Sequence, residues 1–179
     1  MHRARIVWLA LLAALLLSDA SPRTPAPVVA PGAGLDGLSE TQVSDYLRHL
    51  NPELSRGENA RITAAVVKYS DKYSLDTSLV LAVIHQESSG RPWVRSDKGA
   101  VGLMQVMPHM LVTLELAGNL ASIETNVEAG CIILADNIRR LGEDQGILAY
   151  FWGNNIRGAG YLEKVQAARA AIRRRVTAS

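Results

Sequence analysis

Residues 87–108 read ESSGRPWVRSDKGAVGLMQVMP, and this stretch joins the end of a helix to a loop rich in turn residues. Glu87 closes a run of apolar residues at helical spacing, and Pro92 and Gly99 then interrupt helix formation. Gly99 and Gly102 lack a Cβ, so the backbone at these positions can approach a ligand closely. A carboxylate followed by such a loop predicts a ligand site at this point of the chain.

Glu87 lies on the apolar face of a predicted helix, where a carboxylate is unusual. It follows Val83 by four residues and Ile84 by three, so all three share one face. Partial burial and the negative end of the helix dipole both raise the pKa of a carboxyl group. A raised pKa suits a general acid near neutral pH, but a structural glutamate that caps or pairs fits the same spacing.

The whole stretch resembles the signature of the soluble lytic transglycosylases, whose catalytic domain has a goose-type lysozyme-like fold. The matching pieces are Glu87-Ser88, Ser96, Gly99-Ala100, Gly102-Leu103-Met104-Gln105 and Met107-Pro108. Weaker matches follow at Asn126 to Gly130, at Ala149-Tyr150 with Gly153, and at Tyr161 with Lys164 and Val165. The resemblance covers about residues 75–170, which is most of the region predicted to fold.

This resemblance implies a role for the matching side chains. Glu87 would be the single catalytic acid/base. Met104 and Gln105 would line the sugar subsite beside it, and Tyr150 would hydrogen-bond near the catalytic carboxyl and hold it in place. Further substrate-binding positions are expected at Ser88, Ser96 and Tyr161. The implied site uses neither a metal ion nor a cofactor.

The reaction implied is cleavage of the β-1,4 bond between N-acetylmuramic acid and N-acetylglucosamine without water, which leaves a 1,6-anhydro product. Two alternatives remain open. A hydrolytic lysozyme needs a second carboxylate, for which Asp97 is the candidate. A degenerate module that binds the cell wall without cleaving it is mildly favoured by Phe151, which stands where the family pattern has Asn.

From Leu38 onward the chain has the apolar periodicity of helices and no alternation typical of strands. Ser39 and Gln42 form a predicted capping box, and Asp76 is a predicted N-cap. Helices are predicted over about 39–50, 58–73, 77–88, 101–107, 111–116, 126–141, 146–152 and 161–176. The expected architecture is therefore all-α, with a single compact lysozyme-like helical domain over residues 38–179.

The N-terminal residues have the pattern of an export signal. A basic start, an apolar run over 6–17 and the triplet Ser18-Asp19-Ala20 predict a signal peptide over residues 1–20. The apolar run is shorter than the roughly 20 residues that span a bilayer. Residues 21–37 are rich in Pro and Ala, which predicts a flexible linker. We therefore expect a periplasmic or extracellular protein with no stable membrane anchor after cleavage.

The net charge and the cysteine count exclude two classes of feature. The formal net charge of +2 over 179 residues gives no basis for nucleic-acid binding. Cys131 is the only cysteine in the sequence, so no intramolecular disulfide can form. It lies on the apolar face of a predicted helix, where a buried and inert thiol is expected. With the family resemblance, these features predict a monomer whose partner is the peptidoglycan glycan strand.

Overall fold

Helices make up most of the described chain. In the computed structural model, which describes residues 37–178, they are α1 (Glu40–Leu50), α2 (Arg56–Lys72), α3 (Thr77–Ser88), α4 (Met110–Thr113), α5 (Ile123–Leu141), α6 (Glu143–Trp152) and α7 (Gly160–Thr177). In place of strands, this range has isolated bridges between Arg95 and Val101 and between Val101 and Val106. The prediction of an all-α helical domain is confirmed.

Capping boxes fix where the first two helices begin. At α1, the Ser39 hydroxyl accepts from the Gln42 amide, and the Gln42 side chain accepts from the Ser39 amide, as predicted. Ser55 and Glu58 form a second capping box, so α2 begins at Arg56, slightly before the predicted start. Each box satisfies amides that have no partner within the helix.

Helix α3 is the central helix of the domain. Its residues from Leu79 to Ile84 are all buried, with 0–1% of each side chain exposed. A helix that is apolar on every side is surrounded by other elements rather than facing solvent. It packs chiefly against α7 and also contacts α2, while α5 packs against α2 and α6. The C-terminal end of this buried helix carries Glu87.

The start of α3 is tied to α7 and α6 by a group of charges. The carboxylate of Asp76, the predicted N-cap of α3, accepts from the Arg173 guanidinium at 2.5 Å. Arg169 lies 3.3 Å from the same carboxylate and 2.7 Å from Glu143 of α6. Burial raises the pKa of Asp76, but the hydrogen bond from Ser78 and the charge of Arg169 outweigh it and lower the pKa overall. This ion-pair group fixes the position of α3 from its first turn.

One predicted element is wrong. Residues 101–107 form a tight loop rather than a short helix, because Gly102 (φ +77°) and Gln105 (φ +48°) both have left-handed backbone conformations. Other helices differ only at their ends. Helix α5 begins at Ile123 instead of 126, since the Ser122 hydroxyl accepts from an amide of the first turn and starts the helix earlier.

The predicted signal peptide (1–20) and almost all of the predicted linker (21–37) lie outside the described residues, so both stay predictions. Within residues 37–178, no helix has both the length and the apolar composition that crossing a membrane requires.

Candidate functional site

Glu87 is held in the last turn of α3, with its carboxylate partly buried. The helix ends at Ser88, and Ser89 and Gly90, both with positive φ, turn the chain into the following loop. Oε1 of Glu87 accepts a hydrogen bond of 2.5 Å from the Tyr161 hydroxyl. Burial raises the pKa of Glu87, and the Tyr161 hydroxyl partly opposes that rise. The pKa of Glu87 is therefore raised overall, as its place on the apolar helix face predicts.

Tyr161 brings the start of α7 to the end of α3. Its side chain is buried, and its pKa is raised first by that burial and then by the negative charge of Glu87. The phenol therefore stays protonated and acts as a donor to the carboxylate. A donor at this position stabilises the ionised form of Glu87 without supplying a second charge.

Tyr150 forms its hydrogen bond to the loop after α3. Its hydroxyl donates to the backbone carbonyl of Met104 at 2.7 Å, so it holds the loop rather than the carboxyl itself. The negative charge of Glu87 nevertheless contributes to the raised pKa of Tyr150, after burial, which places the two groups within electrostatic range. Of the two tyrosines, Tyr161 is the one whose hydroxyl donates to the Glu87 carboxylate.

The loop after α3 is held by its own backbone. The amides of Val101 and Val106 each donate to the carbonyl of the other, and the Gly102 amide donates to the Val94 carbonyl at 2.8 Å. The side-chain amide of Gln105 donates to the carbonyls of Val94 and Gly102. These bonds give the short loop a fixed shape, which a site that positions a substrate requires.

Asn126 joins this loop to α5. Its Oδ1 accepts from the Met104 amide at 2.9 Å, and its Nδ2 donates to the carbonyls of Val101 (2.8 Å) and Leu120 (3.1 Å). Only 1% of Asn126 is exposed. A Cβ on Gly102 would lie 2.4 Å from Asn126 Nδ2, so glycine is required for this close approach. Motif matching located Asn126, but its role as a hydrogen-bonding hub is visible only in the fold.

The remaining predicted site residues are spread between the core and the loop. The Met104 side chain is fully buried against Gly130, so this residue shapes the site through its backbone. Ser88 is also buried and donates its hydroxyl to the Ile84 carbonyl, so that hydroxyl is used within α3. The Ser96 hydroxyl accepts from the Ala100 amide and closes a turn of the loop. The structure thus joins Tyr161 to Glu87 and Tyr150 to the loop at Met104. The side chains of Ser88, Ser96 and Gln105 are used in local structural bonds.

Three aromatic side chains are exposed, and one of them, Phe151, packs against Tyr161. The Phe151 ring stacks on the Tyr161 ring, with centroids 4.6 Å apart and planes 16° from parallel. Trp152 meets Phe151 edge to face at 5.0 Å and donates its indole N–H to the Gly158 carbonyl. Trp93 is also exposed and donates to the Glu58 carboxylate. None of these three rings is part of the hydrophobic core.

Other reactive groups take no part in the site. His85 shares a hydrogen bond of 2.7 Å with the Tyr46 hydroxyl, and its pKa is lowered by burial. Cys131 is fully buried and burial raises the pKa of its thiol, which confirms the inert thiol expected from its place on α5. Among residues 37–178, no group of three or more His, Cys, Asp or Glu side chains is arranged to hold a metal ion.

Comparison with known proteins gives consistent matches. The family model described as "Transglycosylase SLT domain" matches residues 64–170, more than half of the chain. The "Transglycosylase" of Enterobacteria phage PRD1 is 39% identical over 87 residues, which are 48% of this chain and 32% of the phage protein. A "Membrane-bound lytic murein transglycosylase E" from Buchnera aphidicola is 41% identical over 39 residues, 22% of this chain and 18% of that protein.

Among solved structures, the 70 kDa soluble lytic transglycosylase of Escherichia coli aligns with a TM-score of 0.48 at 19% identity. The alignment covers 77% of this chain and 29% of that one. The chain therefore spans less than a third of the length of the relatives it matches here. The family match includes Glu87, the loop after α3 and both tyrosines of the site. Because the family model matches more than half of the chain, this chain belongs to the transglycosylase SLT domain family.

Proposed function

We propose that this protein is a peptidoglycan lytic transglycosylase that uses Glu87 as its single acid/base. It would cleave the β-1,4 bond between N-acetylmuramic acid and N-acetylglucosamine and leave a 1,6-anhydro ring on the muramic acid. The observation that carries the proposal is the Tyr161–Glu87 hydrogen bond of 2.5 Å at a partly buried helix end. A lone carboxyl with a raised pKa and a neutral donor is suited to move one proton in each direction.

In the first step, the protonated Glu87 donates to the glycosidic oxygen as the bond to the anomeric carbon breaks. Because Oε1 accepts from Tyr161, Oε2 is the oxygen assigned to carry the proton. The carboxyl becomes negative as it loses this proton, and the Tyr161 hydrogen bond strengthens with the charge. The donor therefore favours the transition state over the ground state.

In the second step, the Glu87 carboxylate takes a proton from the 6-hydroxyl of the same sugar. The 6-oxygen then bonds to the anomeric carbon of its own sugar, where the glycosidic bond has broken, so no water enters the product. The family resemblance implies that the N-acetyl group of the substrate stabilises the positive charge between the two steps. Glu87 is again protonated at the end, ready for another cycle.

The hydrolytic alternative requires a second carboxyl group about 5–9.5 Å from the first. Its candidate, Asp97, is exposed on the loop after α3. Glu87 itself is partly buried and accepts its hydrogen bond from the neutral hydroxyl of Tyr161. This arrangement supports the single-carboxylate mechanism. The non-catalytic alternative is disfavoured by the intact pairing of Glu87 with its donor.

The protein's partners follow from this activity. We propose peptidoglycan glycan strands as the substrate, met in the periplasm or outside the cell after removal of residues 1–20. A protein that acts as a monomer without a membrane anchor fits this proposal. N-terminal sequencing of exported protein should begin at Ser21.

The direct test is digestion of purified sacculi with wild-type protein and with Glu87→Gln, followed by mass analysis of the soluble products. The proposal expects anhydro products from the wild type and almost none from the variant. Intact sacculi after wild-type treatment would refute an enzymatic role. Reducing-end products would establish the hydrolytic alternative.

A further inference from the structure

Phe151 occupies an unusual place for a large apolar side chain. It lies near the end of α6, and 52% of it is exposed. One face of its ring is covered by Tyr161, which stacks on it at 4.6 Å. Trp152 also contacts the Phe151 ring in an edge-to-face arrangement, with centroids 5.0 Å apart. The phenyl ring is thus fixed in orientation by two aromatic neighbours while about half of the residue stays exposed.

This exposed face is directly connected to the reaction centre. Tyr161, on which Phe151 stacks, is the residue that donates to Glu87 at 2.5 Å. Phe151 is therefore separated from the proposed acid/base by a single side chain. An exposed ring this near the acid/base can contact the sugar rings of a glycan strand whose glycosidic oxygen is bound at Glu87.

Phe151 and its neighbour Trp152 form an exposed aromatic pair, which we call the aromatic shelf. Trp152 is 36% exposed. Trp152 is fixed by an edge-to-face contact with Phe151 and by its hydrogen bond to Gly158. Exposed apolar groups that are contiguous and held in place are typical of binding surfaces. Their rigidity lowers the entropy cost of binding.

We infer that the aromatic shelf binds the apolar face of an N-acetylhexosamine ring in the glycan strand, with Phe151 as the stacking residue. The inference rests on the proposed function. The family pattern has Asn at this position, whose amide offers hydrogen bonds, whereas a phenyl ring offers only a flat apolar surface. At this position the chain therefore offers a stacking surface where the family pattern offers an amide. Binding at this subsite should therefore depend on the apolar face of the sugar ring rather than on the polar substituents of the sugar.

The test is an NMR titration of Glu87→Gln protein with the β-1,4-linked tetramer of N-acetylglucosamine, which carries rings but no peptide. In this background, Phe151→Leu keeps apolar cover over Tyr161 but removes the flat face, and should weaken binding about three- to tenfold. Phe151→Tyr keeps the flat face and should bind within about twofold of the parent. Leu141→Ala, which truncates an exposed apolar residue at the end of α5, is the matched control and should leave binding unchanged.

Equal binding by the Phe151→Leu and parent proteins would overturn the inference. A second result would also overturn it: Phe151→Leu, made in the active protein, shifts the pH profile of sacculus digestion but leaves the affinity for the tetramer unchanged. Phe151 would then act only by positioning Tyr161. In both cases wild-type protein still digests sacculi, so the proposed function stands. If the wild type leaves sacculi intact and the Glu87→Gln protein binds no tetramer, the proposed function fails and the inference with it.

Discussion

Replacing Tyr161 with Phe removes one hydroxyl and leaves the ring in place against Phe151. The lost group is the donor to Glu87 Oε1 at 2.5 Å. A hydrogen bond to a charged partner contributes about 1.5–3 kcal/mol. Because the Glu87 carboxylate forms as the glycosidic bond breaks, most of that energy is felt in the transition state. We therefore expect the rate of sacculus solubilisation to fall roughly 10- to 150-fold.

The same substitution has a distinct pH signature. Burial raises the pKa of Glu87 and the Tyr161 hydroxyl lowers it, so removing the hydroxyl raises the pKa further. The protonated carboxyl begins the reaction, so activity is lost as pH rises through this pKa. The basic limb of the rate profile should therefore move to higher pH in Tyr161→Phe.

Tyr150→Phe is the matched comparison, because it removes a phenol that donates to the Met104 carbonyl instead of to Glu87. We expect it to lower the rate by loosening the loop while the basic limb stays where the wild type has it. Rates of turbidity loss in sacculus suspensions, measured across pH, give both quantities. A Tyr161→Phe enzyme with wild-type rate and an unmoved basic limb would refute the reasoning.

Three further substitutions test the account. Glu87→Gln should lower the rate by at least about 10²–10⁴-fold. The pKa of Glu87 is raised in the folded protein, so the fold loses stability as pH rises through that pKa and the buried carboxyl ionises. The Glu87→Gln protein cannot ionise at this position, so it should melt at a higher temperature than the wild type at neutral pH. The difference should vanish in acid. Asn126→Ala removes its bonds to the Met104 amide and to the Val101 and Leu120 carbonyls, and should cost about 2–4 kcal/mol of unfolding free energy in urea. A loss below about 1 kcal/mol would contradict its role as a hub. Asp76→Ala removes the N-cap of α3 and the ion pair with Arg173, and should lower the melting temperature by about 4–8 °C. The pKa of Asp76 is lowered, so its stabilising effect is present above its usual pKa of 3.8 and is lost as pH falls through the folded pKa. The difference in melting temperature between wild type and Asp76→Ala should therefore shrink in that acid range. A difference that stays constant with pH would count against the ion pair.

Local sequence rules located the catalytic candidate but not its partner. Glu87 could be placed at the end of a buried helix because Val83 and Ile84 mark that face at helical spacing. Tyr161 is 74 residues away in sequence, and no local pattern joins it to Glu87. Motif matching supplied both tyrosines, but only the packing of α7 on α3 distinguishes which one reaches the carboxylate.

The loop after α3 shows a second limit of sequence reasoning. Residues 101–107 are apolar enough to suggest a helix, and the Gly at 102 is a weak warning against it. The positive φ of Gln105 has no sequence signal, because it results from the bonds of the loop and from Asn126 on α5. Side-chain caps such as Ser39 and Asp76, in contrast, depend on neighbours within three residues and were predicted correctly.

The central claim is that one carboxyl group, Glu87, performs both proton transfers without water. The most direct measurement is the mass of muropeptides released from purified sacculi by wild-type protein and by Asp97→Asn. The account predicts anhydro products from both proteins, one water lighter than lysozyme products, at near-equal rates. Reducing-end products that disappear with Asp97→Asn would contradict it and establish a hydrolase with two carboxylates.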